Sequence, residues 1–156
     1  MNQNNSSLLI FYYIIDFYPI NKGLFHHSYS EIILIKSAEQ SGIHAGWSNP
    51  CLEIWLYAYF GNMPNIQDSV SCCKRFAIEY EKRTDQKYDK AEKDLYKKLC
   101  EFGNEENAIK IAQQKRKQCI ENGLTVPSKM IPCTMIDILI NIIKTKIGDN
   151  NGGNYI

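Results

Sequence analysis

The sequence predicts an α/β fold, with a small parallel sheet core at residues 8–60 followed by a helical subdomain at residues 61–147. Three observations lead there. A continuous β-branched and aromatic run opens the chain, the hydrophobic period then turns helical and extended again, and everything beyond Gly61 is more polar with helical spacing. A length of 156 residues suits one domain with one core. Residues 1–7 and 148–156 are polar or rich in Asn and Gly and are expected to be flexible tails.

Leu8–Ile15, LLIFYYII, has the pattern of a strand covered on both faces. Asp16 ends it, and Pro19 and Gly23 mark a loop. A helix is expected from Ser30 to Gln40. Ser30 can cap it, Ile32, Ile33, Ile35 and Lys36 give a mostly apolar face, and Ser41-Gly42 stops it. Ile43–Trp47 reads as a second strand, and strand–helix–strand implies a parallel pair with a right-handed crossover. Asn49 is then a good N-cap with Pro50 at the first helical position. Leu52, Trp55, Leu56 and Tyr59 mark one face of that helix and Cys51, Ile54 and Ala58 another, so it is expected to be buried, with Trp55 at its centre. Glu53 is its only charge. Further helices are expected at 66–82, 88–102, 104–122 and 134–147, the last opened by Thr134 and Asp137 at capping-box spacing.

Eighteen basic against seventeen acidic residues leave a net charge of +1, which excludes a global electrostatic footprint for nucleic acid or an anionic membrane. Local basic runs such as Lys74-Arg75 and Lys115-Arg116-Lys117 belong to helices that also carry acids, and read as solvated faces. The opening apolar run is too short to span a bilayer and has neither a basic lead nor a cleavage site, so a cytoplasmic protein is expected. Six cysteines, at 51, 72, 73, 100, 119 and 133, include no Cys-x-x-Cys pair and no familiar zinc spacing; reduced, structural thiols are expected.

In an open α/β sheet, ligands bind beyond the carboxyl ends of the strands. Asp16 stands at the end of the first strand, Ser48 and Asn49 at the end of the second, and Glu53 one turn into the following helix. These four residues form the candidate catalytic set. The start of the helix adds N–H groups that favour an anion. Asp16 and Glu53 together suit Mg²⁺, and with it phosphoryl transfer or phosphodiester hydrolysis. A structural reading stands beside this one: Asp16 caps a loop, Asn49 caps its helix, and Glu53 pairs with a core Arg or Lys.

The run SNPCLEIWL at Ser48–Leu56, preceded by IHAGW, resembles the signature block of the RloB-like family. The strand ending at Asp16 matches the strand that ends in that family's Asp-x-Asp element. The likeness continues more loosely at Tyr88-Asp89-Lys90, at Asn107-Ala108-Ile109 and at Pro132-Cys133-Thr134, and covers roughly residues 11–146. The resemblance implies a Toprim-like fold, a phage-defence role beside restriction or abortive-infection loci, an AAA- or ABC-type ATPase partner, and Mg²⁺-dependent cleavage of nucleic acid. Two parts of the family pattern are missing. No Glu-bearing loop precedes Leu8, which suggests an N-terminally truncated chain, and Tyr18 stands where the second Asp belongs. An incomplete catalytic set is therefore expected. The alternatives are a non-catalytic module that docks on an ATPase and a truncated reading frame.

Overall fold

The computed structural model describes residues 12–16 and 27–151. Residues 1–11, 17–26 and 152–156, with the expected strand start at Leu8 and Tyr18 among them, lie outside these. The elements are β1 (Tyr12–Asp16), α1 (His27–Gln40), β2 (His44–Asn49), α2 (Glu53–Tyr59), α3 (Ser69–Thr84), α4 (Leu95–Phe102), α5 (Glu105–Glu121), β3 (Cys133–Thr134) and α6 (Ile136–Asn151), with a short 3₁₀ turn at Pro127–Lys129 before β3.

β2 is the middle strand. It pairs in parallel with β1, from Tyr12 opposite His44 to Asp16 opposite Ser48. On its other side it pairs antiparallel with β3, Ser48 opposite Thr134 and Asn49 opposite Cys133. This corrects the predicted fold class. Among the described residues the chain is mostly helical, and its few short strands form a mixed sheet rather than the parallel, Toprim-like core of an α/β fold. The physical reason lies in β3. A strand of two residues carries no periodic signal, and its residues read in sequence as the start of the helix behind them.

The same pairing corrects the start of α2. Asn49 belongs to β2, drawn into the sheet by Cys133, and the helix begins at Glu53. Asn49 is therefore not its N-cap; Leu52 holds that position without a side-chain cap. α1 begins at His27, before the Ser30 cap expected from sequence.

All seven residues of α2 are buried, and the helix packs against α3, α4 and α5. Trp55 meets Tyr59 edge-on at 5.2 Å between ring centres. Beside them, Tyr57, Phe60, Tyr80 and Tyr88 surround the fully buried Phe76 of α3. Such a cluster ties the segment after α3 to α2 through area burial and edge-to-face contacts. Asp68 caps α3, accepting from the Ser71 N–H at 2.7 Å, and Asn104 caps α5, accepting from Asn107 N–H at 2.8 Å. Two glycines record close approaches. A Cβ on Gly46 would stand 2.9 Å from Leu139 of α6, and one on Gly103 would stand 2.6 Å from the Tyr59 carbonyl oxygen. A smaller cluster of Trp47, Cys119, Met130 and Cys133 fills the space at the β2–β3 end. No helix among the described residues is long and apolar enough to cross a membrane.

Candidate functional site around Glu53

The β2–α2 junction places the four predicted residues as follows. Asp16 lies directly beside Ser48 in the β1–β2 register, with its side chain outside the described residues. Ser48 Oγ and Thr134 Oγ1 are 2.8 Å apart. The Thr134 hydroxyl donates in turn to the Trp47 carbonyl at 3.1 Å and accepts from the Ile136 N–H, which leaves Ser48 as the donor to Thr134. Asn49 Nδ2 donates to the Pro127 carbonyl at 3.0 Å. Ser48 and Asn49, both buried, are thus occupied in holding β3 and the Pro127 turn against β2. The sheet sets the backbone of Asp16 beside that of Ser48, while Asn49 pairs with Cys133 and Glu53 has different partners.

Glu53 is buried at the first turn of α2. Tyr88 Oη donates to its Oε1 at 3.0 Å, and Lys90 Nζ stands 3.5 Å from the same oxygen. Oε2 meets no donor in hydrogen-bonding geometry. The thiols of Cys51 and Cys73 lie beside the carboxylate, and one ligand atom from each of the three residues falls within 4.8 Å of the others. Cys51 sits just before α2 and Cys73 on α3, with their Sγ atoms 3.8 Å apart. Burial opposes ionisation of Glu53. The nearby Cys51 thiol and the residue's own backbone N–H, too loosely placed to count as full hydrogen bonds, outweigh that together with the Lys90 charge and hold the carboxyl below its usual value. Contact with Cys72, then burial, pushes the Cys51 thiol far up; burial, then the neighbouring Cys51 and Glu53, does the same to Cys73. The anion-favouring start of this short helix is therefore used by Glu53 itself.

A second buried carboxylate lies across the core. Asp137 of α6 receives two hydrogen bonds from Arg116 of α5, at 2.9 and 2.8 Å, and Arg116 also donates to the Thr134 carbonyl at 2.6 Å. The pairing with Asp137 raises the Arg116 pKa despite its burial. Arg116 thus departs from the solvated face predicted for it, and Asp137 from the capping box. A third group joins Tyr59, Tyr96 and Lys144 on Glu105. A surface cleft lined by Tyr57, Phe60, Arg75, Glu79 and Arg83 contains none of the predicted site residues.

The sequence blocks that carry the resemblance converge in space. Tyr88 and Lys90 reach back to Glu53, Cys133 and Thr134 pair with Asn49 and Ser48, and Ala108 packs in the core around α2. The RloB-like protein family model matches residues 11–143. The chain belongs to the RloB-like family. No curated protein and no solved structure matches it. In this RloB-like chain, then, the segment SNPCLE meets the blocks at Tyr88–Lys90 and Cys133–Thr134.

Sequence reasoning found Glu53 but missed the residues around it. In the sequence Tyr88 and Lys90 show only as a weakly similar segment, and Cys51 and Cys73 only as packing thiols. The sequence holds no signal for their approach, since 22 residues separate them and the turn that joins α2 to α3 sets the distance.

Proposed function

We propose that this RloB-like chain acts in phage defence without nuclease turnover of its own, by docking on an AAA- or ABC-type ATPase. Family membership over residues 11–143 is the observation that carries the defence reading. The surroundings of the candidate residues support the non-catalytic part. Ser48 and Asn49 spend their polar groups on Thr134 and Pro127, and Glu53 spends one oxygen on Tyr88 and Lys90. Mg²⁺ prefers oxygen ligands, whereas the other ligand-bearing groups beside the Glu53 carboxylate are the thiols of Cys51 and Cys73. That donor set does not fit Mg²⁺. The phenol of Tyr18, where the family has an Asp, ionises near pH ~10 and is a poor ligand for Mg²⁺ at neutral pH.

The test is a plaque assay in cells that express the chain with and without a co-expressed AAA- or ABC-type ATPase, in wild-type and Asp16→Ala forms. Protection is expected only with the ATPase and is expected to survive Asp16→Ala. Purified protein should leave RNA, single-stranded DNA and plasmid intact in Mg²⁺ or Mn²⁺. Cleavage or protection that Asp16→Ala abolishes would replace this reading with a metal-dependent nuclease, the second reading the family supports. Absence of protection with the ATPase present would remove the defence role.

A further inference from the structure

We propose that Cys51, Glu53 and Cys73 form a binding site for a thiophilic divalent cation, Zn²⁺ above all. The geometry is that of a cation site. Two thiolates bound to one tetrahedral Zn²⁺ at about 2.3 Å stand about 3.8 Å from each other, and the Cys51 and Cys73 sulfurs are 3.8 Å apart. A Glu53 oxygen lies within 4.8 Å of both sulfurs. Buried Oε2 has no hydrogen-bond partner, which is costly for an ionised group unless something positive completes it.

The surroundings match what ligating carboxylates receive. Tyr88 and Lys90 fix Oε1 from behind, as outer partners that orient a ligand do. Charge also balances: two thiolates, one carboxylate and Lys90 sum with Zn²⁺ to zero. Cys73 is half-buried and Lys90 half-exposed, so an ion has a way in from solvent and water can take the fourth position. Each thiol gives its proton to solvent as its sulfur–zinc bond forms, so affinity rises with pH. The ion would tie the start of α2 to α3. This site is separate from the ATPase docking proposed above, and either can fail without the other.

The experiment uses the full chain, purified without chelator under a phosphine reductant, with metal content measured by mass spectrometry. Zn²⁺ is then titrated into the stripped protein at two pH values, and Co²⁺ is used as a spectroscopic probe. About one Zn²⁺ per chain is expected, together with a thiolate-to-cobalt charge-transfer band, tighter binding at the higher pH and no displacement by excess Mg²⁺. Cys73→Ser should lose the band and most of the affinity, Tyr88→Phe should weaken binding roughly tenfold or more, and Cys100→Ser should change neither. The Co²⁺ spectrum of the wild-type chain decides the matter even if a variant fails to fold. Absence of the charge-transfer band, or Zn²⁺ binding equally well to folded Cys73→Ser, would reduce the pair to thiols in simple packing contact.

Discussion

Asp137 and Glu53 are both buried carboxylates in the first turn of a helix that follows a strand, yet their partners differ in kind. Asp137 has both oxygens taken by the planar fork of Arg116, which also binds the Thr134 carbonyl. That arrangement leaves nothing over, and it joins α5, β3 and α6. Glu53 has one oxygen held by a phenol and a lysine, the other without a hydrogen-bond partner, and two thiols beside the carboxylate. A buried pair that is complete is a structural part. One that is complete on one side only marks a place for something else.

The largest expected effect lies on the complete side. Arg116→Ala would leave Asp137 buried without its cation, and breaking such a pair costs about 3–5 kcal/mol. Arg116→Met with Asp137→Leu should recover most of that, because two apolar groups leave no charge unpaired. Chemical denaturation of the three proteins checks both statements. A loss below 1 kcal/mol for Arg116→Ala would show that Asp137 finds other partners, and the contrast with Glu53 would collapse.

A smaller effect is expected on the incomplete side. Tyr88→Phe keeps the ring that packs against Phe76 and removes only the donor to Glu53 Oε1. Hydrogen bonds to charged groups contribute about 1.5–3 kcal/mol, and Lys90 remains to hold part of the charge. Denaturation in the presence of chelator measures this without any metal contribution. A cost equal to that of Arg116→Ala would mean that Glu53 is as fully committed as Asp137.

The contrast was only half legible in the sequence. Glu53 stood out because it is the one charge in an apolar helix, and the burial of that helix, Trp55 included, followed from the same pattern. Asp137 and Arg116 did not stand out. Each sits in an amphipathic helix with ordinary charge spacing, and only the tertiary approach of α5 to α6 makes them a pair. The helical half of the fold is readable from its period except before α4, which begins at Leu95 and not at 88, whereas β3 is too short to register. Without β3 the sequence pattern reads as a parallel sheet, with Asn49 at a helix cap instead of in a strand. α1 shows the limit of period alone: Ile33, expected on its apolar face, is 60 % exposed.

The smallest effect separates the two carboxylates by pH. The carboxyl of Glu53 is held below its usual value against the opposing effect of burial, by the Cys51 thiol, its own backbone N–H, Lys90 and the Cys73 thiol. A group whose pKa is lower in the folded state binds fewer protons there than in the unfolded chain. Its contribution to stability is therefore present above the unfolded glutamate value, near ~4.3, and is lost as pH falls through the folded value. Glu105 is lowered in the same direction, with Lys144, Tyr96 and Tyr59 outweighing its burial, so the wild-type profile should fall on acidification for two reasons. Glu53→Gln should flatten part of that fall and leave the Glu105 part, which Glu105→Gln removes in turn. Stability measured by urea at a series of pH values below 6, with chelator present, reads the difference in slope. An unchanged slope in Glu53→Gln would mean that burial cancels the thiol, backbone and lysine contributions, and that the second oxygen of Glu53 is no better prepared for a cation than any other buried carboxylate.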